Sequence, residues 1–190
     1  MALLVALALL AAGCSSGKKP PAAATTTPTT TTLVARPLAL SLTTSARGPE
    51  RGFDAKRAAS LASPSLQRFL NRYLTVAFLQ PSQAKSGWRN LLVMFDSPVR
   101  TTARRQLDSL SLGSAAAQVT TVRPGPARAT AVVLFDGGRA VAATVRLSFD
   151  GTADTSRGSG TVRLRSVLQL LGVRSGWVIA SYKSSTGGGG

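Results

Sequence analysis

The spacing of apolar residues changes partway along the chain, and this change limits the folds that the chain can adopt. Before Gly113 apolar residues recur every three to four positions, and after Gly113 they alternate with polar ones. The first spacing places apolar side chains on one stripe of a helix, and the second places them on one face of a strand. This order predicts an α+β domain, in which amphipathic helices pack on a curved antiparallel sheet.

Three helical segments are predicted in the first half. Ser63-Pro64 and Ser97-Pro98 each combine a capping hydroxyl with a following proline, which is typical of a helix start. Asp54 is expected to cap a shorter helix, and Pro81 should end the helix that begins at Ser63. The apolar stripes of the three main segments are Leu66, Phe69, Leu70, Tyr73, Leu74, Ala77 and Phe78; then Trp88, Leu91, Leu92 and Phe95; then Val99, Ala103, Leu107 and Leu110.

Strands are predicted after Gly113, and one short strand is predicted before the helices at Leu38, Leu40 and Leu42. The later strands are expected at 118–123, 130–135, 140–149, 161–170 and 177–182. Asp136-Gly137-Gly138 should form a hairpin turn, and residues 150–160 should form a polar turn. Alternation within the hairpin places Val145, Leu147 and Phe149 toward the core, and Arg146 and Ser148 toward solvent.

The N-terminus carries the features of an export signal. Residues 1–13 have no charge and are too short for a membrane span, but they have the length of the apolar core of a signal peptide. The end of this segment and the next residue, Leu10-Ala11-Ala12-Gly13-Cys14, resemble the lipobox of bacterial lipoproteins, although Ala11 stands where that family prefers Leu. The resemblance implies acyl chains such as palmitate on Cys14, and anchoring on the extracytoplasmic face of the cell membrane. The alternative is an ordinary secretory signal with an incidental cysteine.

The chain is expected to divide into four parts. Residues 1–13 are the signal peptide, and residues 14–34 are the lipidated cysteine followed by a Thr/Pro-rich tether. The tether has too few apolar residues to offset the entropy of ordering. Residues 35–184 are the folded α+β domain, and residues 185–190 are a Gly-rich flexible tail.

Residues 60–184 are similar in pattern to the nuclear transport factor 2-like fold, including its tethered versions in bacterial envelope proteins such as those associated with mammalian-cell-entry transport systems. The resemblance is carried by Phe69-Leu70-Asn71-Arg72-Tyr73-Leu74, by Trp88 to Phe95-Asp96, and by the closing strand Gly176 to Tyr182. It implies a cone between the helices and the sheet. Tyr73, Trp88, Phe95 and Trp177 are candidates to line such a cone and hold a small apolar ligand; the alternative is that they are ordinary core residues. The fold hosts enzymes, carriers and scaffolds, so it does not imply an activity.

The sequence offers little for catalysis. It contains no His and one Cys, which exclude a histidine base, an internal disulfide and a cysteine-based metal site. The acidic residues are Glu50, Asp54, Asp96, Asp108, Asp136, Asp150 and Asp154, and no two are spaced as an evident acid–base pair. We therefore expect a non-catalytic module with no cofactor and no metal. An enzyme that uses Asp96 or Asp108 ranks behind a binding module and a carrier.

The formal charge of +16 favours anionic partners. Arg146, Arg163 and Arg165 are the candidate anion contacts, because strand alternation turns them away from the core. If their strands are neighbours, the arginines would lie opposite one another, and such like-charge pairs are mildly destabilising without an anion. The expected partners are an envelope protein complex or an anionic cell-wall polymer. A nucleic acid is not expected, because export and an aromatic content of 5% argue against it. The alternative is that the arginines only solubilise the surface.

Overall fold

The computed structural model describes residues 38–189, so the signal peptide, Cys14 and the tether lie outside the described residues. Within this part, no helix is long and apolar enough to cross a membrane. The strands are β1 Leu40–Arg47, β2 Val119–Asp136, β3 Arg139–Thr155, β4 Gly158–Val173 and β5 Gly176–Gly189. The α-helices are α1 Ala55–Leu74, α2 Arg89–Leu92, α3 Ser97–Arg105 and α4 Leu107–Leu110. A π-helical turn, Thr75–Leu79, continues α1, and short 3-10 helices span Pro81–Ser86 and Gly113–Ala117.

The five strands form one open, mixed sheet in the order β1-β2-β3-β4-β5. The α+β class is therefore confirmed. The sheet is not purely antiparallel as predicted, because β1 pairs parallel to β2 while the other three pairs are antiparallel. A parallel pair needs a long crossover, and the whole helical region between β1 and β2 supplies it.

The later strands are longer than the sequence pattern predicts. The segments 118–123 and 130–135 belong to one strand, β2, which is interrupted by a bulge between Pro124 and Ala127. The polar turn predicted at 150–160 is also wrong, because β3 and β4 stay paired to Thr155 and Gly158. Their polar side chains are compatible with a strand because the ladder is made by the backbone. Residues 185–189, expected as a flexible tail, lie in β5 and pair with β4.

Helix α1 begins earlier than the proline signal predicts. It starts at Ala55, and the Asp54 carboxylate caps it by accepting a hydrogen bond from the Arg57 amide at 2.9 Å. Pro64 therefore lies inside the helix, where it lacks the amide that would bond to the preceding turn. Ala62 and Leu66 on either side are buried in the core, so packing keeps the helix continuous.

The second proline signal is confirmed, because α3 begins at Ser97 with Pro98 in its first turn. The cap is the preceding residue, Asp96, whose side chain accepts a hydrogen bond from the Ser97 amide at 2.8 Å. The Asp96 amide also donates to the Ile179 carbonyl on β5 at 2.9 Å. The start of α3 is thereby attached to the closing strand.

The hydrophobic core lies between the helices and one face of the sheet. Leu66, Leu70 and Leu74 from α1 are fully buried, as are Val145 and Phe149 from β3. The ring centroids of Phe149 and Phe78, just beyond α1, are 5.4 Å apart. The predicted inward orientation of the apolar hairpin residues is therefore confirmed.

We predict that Pro64→Ala stabilises the protein, because proline inside a helix costs up to about 3 kcal/mol relative to alanine. Pro64 is exposed, so the change leaves the core intact. The matched control is Pro98→Ala, which should have little effect because a proline in the first helical turn displaces no helical hydrogen bond. Chemical denaturation of both variants measures the difference. A free energy of unfolding that does not rise for Pro64→Ala would show that the helix has adapted to its proline.

Candidate functional site

The outer face of the sheet, opposite the core, is open to solvent. On β3 the odd residues 143–149 are buried, while Thr144 and Arg146 between them are exposed. On β4 the pattern is the reverse, with Leu164 and Leu168 buried and the odd residues exposed. The sheet register places these exposed residues side by side in rows that run across the strands. The register therefore determines which exposed side chains are neighbours.

Two adjacent rows of this face hold four cations. From β1 to β5, one row consists of Ser41, Arg128, Ser148, Arg165 and Ser185. The next row consists of Thr43, Thr130, Arg146, Val167 and Lys183. We call Arg128, Arg146, Arg165 and Lys183 the cation cluster. Each of its members comes from a different strand. Ser148 separates Arg128 from Arg165 in the first row, and Val167 separates Arg146 from Lys183 in the second.

The register keeps these cations apart. The strands of Arg146 and Arg165 are neighbours, as the binding hypothesis required, but Arg146 lies opposite Val167 and Arg165 lies opposite Ser148. The expectation of like charges directly opposite one another is therefore wrong, because the register places the two arginines on a diagonal. Diagonal neighbours in an antiparallel pair are about 7–8 Å apart, which weakens their repulsion and leaves room for an anion between them.

The cation cluster lines a shallow depression of about 470 Å³ on the outer face. Thr130 and Ser148 lie between the cations and add hydroxyl donors to its lining. Guanidinium groups bind phosphate and carboxylate oxygens through two parallel hydrogen bonds, and hydroxyls can complete such a set. The depression can therefore hold anionic groups in contact with several strands at once.

Of the three predicted arginines, Asp150 forms ion pairs with Arg163 and Arg165. Arg163 lies opposite Asp150, one row outside the cation cluster, and its Nε is 3.9 Å from the carboxylate. Arg165 donates from Nη2 to both oxygens of Asp150, at 3.1 and 3.2 Å. Arg146 takes part in no ion pair within the described residues. Arg165 is therefore the closer partner of Asp150 and Arg163 a more distant one, and Arg146 is the predicted residue most available to a ligand.

Sequence reasoning missed two members of the cation cluster, Arg128 and Lys183. Both were detectable as exposed strand residues, because Arg128 alternates with Ala127 and Ala129, and Lys183 follows Tyr182 in the closing strand. The register across four strands brings these residues close to Arg146, and the alternation of residues along a single strand does not reveal that register. Neither forms an ion pair within residues 38–189.

Besides Asp150, four further carboxylates have structural partners. Asp54 and Asp96 cap helices, and Asp108 accepts a hydrogen bond from the Ser114 amide at 2.6 Å. Asp154 accepts two hydrogen bonds from Arg123 and one from Ser159, and the Arg123 hydrogen bond is the main cause that lowers the pKa of the Asp154 carboxyl. Within residues 38–189, no three His, Cys, Asp or Glu side chains are grouped so that they could hold a metal ion.

The four aromatic candidates do not surround a common cavity. Tyr73, Trp88 and Phe95 are buried in the core. The Tyr73 hydroxyl donates to the Leu110 carbonyl at 2.9 Å; burial, and to a lesser degree Tyr182, raises the pKa of Tyr73 well above its ordinary value. Trp177 borders a cavity of about 360 Å³, and its indole donates to Ser65 at 3.0 Å.

We predict that Tyr73→Phe lowers the free energy of unfolding by about 1–2 kcal/mol, because it removes a buried hydrogen bond and leaves the Leu110 carbonyl without this donor. Tyr182→Phe is the matched control. Its hydroxyl also makes one hydrogen bond, to Gln106 at 2.9 Å, but in an exposed position where water can replace it. Urea denaturation of the two variants tests the difference, and equal losses would contradict the assigned role of Tyr73.

No protein-family model, curated protein or solved structure matches this chain, and its function is therefore inferred from its own residues.

Proposed function

We propose that the protein is a lipid-anchored, non-catalytic module of the bacterial cell envelope that binds an anionic envelope polymer on the outer face of its sheet. The observation that carries this proposal is the cation cluster, in which four strands each contribute one exposed cation to a single depression. Cations that were only solubilising would not need to converge in two adjacent rows.

The spacing of the cation cluster favours a linear polymer over a single small anion. Neighbouring strands are about 4.8 Å apart, so Arg128 on β2 and Lys183 on β5 are separated by about 15 Å across the sheet. A polyanion that crosses the strands would meet one cation on each of them. Such multivalent contact gains affinity from the second and later charges without a deep pocket.

The proposed location depends on the N-terminal sequence. Cys14 follows an apolar run of signal-peptide length, and lipid on this cysteine would hold the domain at the membrane surface. The Thr/Pro-rich segment after Cys14 has the composition of a spacer, so the domain would be able to reach polymers near the membrane.

We also propose a relation to the nuclear transport factor 2-like fold. It is supported by the order of elements, in which helices precede four successive antiparallel strands, and by the burial of the α1 stripe against one sheet face. This relation concerns architecture, and the functional proposal stands on the cation cluster without it.

The anchor is tested by Cys14→Ser. We expect the variant to carry no lipid, and to leave the membrane fraction when membranes are washed with high salt, because acyl chains are the expected source of stable attachment. Metabolic labelling with a palmitate analogue measures the lipid directly. Labelling that persists in Cys14→Ser, or retention of the variant after the wash, would contradict the anchor.

The polymer site is tested by the triple variant Arg128→Gln/Arg146→Gln/Lys183→Gln, with long-chain inorganic polyphosphate as the probe. We expect affinity to fall about tenfold or more, and its dependence on salt to flatten, because three of the charge contacts are removed. Fluorescence titration over several salt concentrations measures both. Stability should hold or rise slightly, since like charges are removed from neighbouring rows.

The control removes the same number of charges from the helices, as Arg89→Gln/Arg104→Gln/Arg105→Gln. All three are exposed and lie on α2 and α3, so this variant should bind polyphosphate within about twofold of the parent. Inorganic phosphate should bind far more weakly than polyphosphate in every variant. Equal losses in the two triple variants would show that only overall charge matters, and would overturn the proposed site.

A further inference from the structure

The outer face ends in an apolar row. Across the strands, this row consists of Arg47, Leu134, Ala142, Leu171 and Val178. Leu134 and Leu171 lie on the face opposite the core, and they are 46% and 43% exposed. Two leucines held in one solvent-facing row are unusual on a sheet that elsewhere presents Arg, Lys, Ser and Thr.

Two further exposed aliphatic residues lie between this row and the turns. Val173 ends β4, two residues beyond Leu171, and Val141 is the unpaired residue next to Ala142 where β2 and β3 shift register; they are 43% and 40% exposed. We call Leu134, Val141, Leu171 and Val173 the apolar end. These are four of the seven large hydrophobic residues exposed in the described part of the chain, and the other three are Leu61, Val93 and Val167.

Cations surround the apolar end. Arg47 lies directly opposite Leu134, Arg139 lies next to the β2–β3 turn, and Arg174 follows Val173. All three are exposed, and none forms an ion pair within residues 38–189. Asp136 is the one carboxylate in the β2–β3 turn and the β4–β5 turn. The local charge is therefore positive, and a neutral or anionic partner is favoured over a cationic one.

The area of the apolar end indicates which partner it fits. Its exposed surface is on the order of 300 Å², whereas a stable protein interface buries about 800 Å² on each partner. A bilayer sets no such minimum, because aliphatic side chains can enter the interface singly while arginines contact anionic headgroups. The apolar end is therefore too small for a stable second copy of the chain, but it is suited to a lipid surface.

We propose that the apolar end docks on the surface of an anionic bilayer, with Arg47, Arg139 and Arg174 at the level of the headgroups. Leu134 and Thr130 are four residues apart on β2, so the row of Thr130 and Arg146 lies about 13 Å from the apolar row. A domain that contacts the bilayer by these strand ends keeps the cation cluster in water. The inference rests on the proposed function only for bringing the domain to a membrane, and the surface itself is defined without it.

The test uses the full chain carrying Cys14→Ser, so that no lipid anchor contributes. Vesicles of phosphatidylcholine containing one quarter phosphatidylglycerol are the probe, and cosedimentation measures binding. We expect Leu134→Ser/Leu171→Ser to bind about tenfold less than the parent, because two apolar side chains leave the interface. Leu61→Ser, a change of equal chemistry at a residue 69% exposed on α1, should bind as the parent does.

A second variant, Arg139→Gln/Arg174→Gln, changes only exposed residues next to the turns and leaves the core untouched. It should lose binding to the anionic vesicles by several-fold and show little change with pure phosphatidylcholine. Melting temperatures of all variants establish that they are folded. Polyphosphate affinity should stay at the parental value in Leu134→Ser/Leu171→Ser, which separates this site from the cation cluster.

Either of two results would overturn the inference. The first is vesicle binding that is unchanged in Leu134→Ser/Leu171→Ser while the variant is folded. The second is a parental dimer in sedimentation equilibrium that the leucine substitutions dissociate, since a second copy of the chain would then be the occupant. Loss of vesicle binding in Leu134→Ser/Leu171→Ser, with polyphosphate affinity retained, supports the inference. If only the polyphosphate experiment fails, the proposed polymer site is wrong and the vesicle result still stands.

Discussion

Burial of the inner sheet face against α1 is the constraint from which the exposed surface follows. Leu70 and Tyr73 on α1 share one core with Leu147 on β3 and Leu168 on β4. Because side chains alternate along a strand, burying one set commits the intervening set to solvent. The outward orientation of Arg146 and Arg165 is therefore a consequence of core packing, and a one-residue shift of register would exchange the two sets. The cation cluster can be displaced only by disturbing the hydrophobic core.

The sequence predicts those features that depend on local periodicity. Alternation in β3 gives the outward direction of Arg146, and Asp54 and Ser97-Pro98 mark helix starts that the structure confirms. Features that depend on distant pairing are not predictable in this way. The parallel pairing of β1 joins segments separated by the entire helical region, and the two adjacent rows that hold Arg128 and Lys183 exist only through pairings across four strands. Pro64 shows the opposite case, in which packing of Ala62 and Leu66 overrides a strong local signal.

Asp150 determines how much of the basic face is available to a partner. A carboxylate within hydrogen-bond distance of Arg165 partly neutralises that residue and holds its guanidinium toward β3. The ion pair is solvent-exposed, with the Arg165 side chain 54% exposed, so its own contribution to stability is small. Its more significant effect is on position, because a fixed guanidinium loses less conformational entropy when it meets an anion. Arg146 and Lys183 have no such carboxylate within the described residues, so they retain the charge that a ligand would neutralise.

The composition of the outer face also bears on solubility, and this role has to be separated from binding. An open sheet with an uncovered face can associate with another sheet, and charged side chains on that face oppose such stacking. Scattered cations would be enough for this purpose. The arrangement found here goes further, because the cations converge on one depression while the leucines gather at one end of the same face. Leu134 and Leu171 work against solubility, so a purely solubilising face would not be expected to carry them. A surface that keeps both a charged centre and an apolar end is better explained by contacts that require each of them.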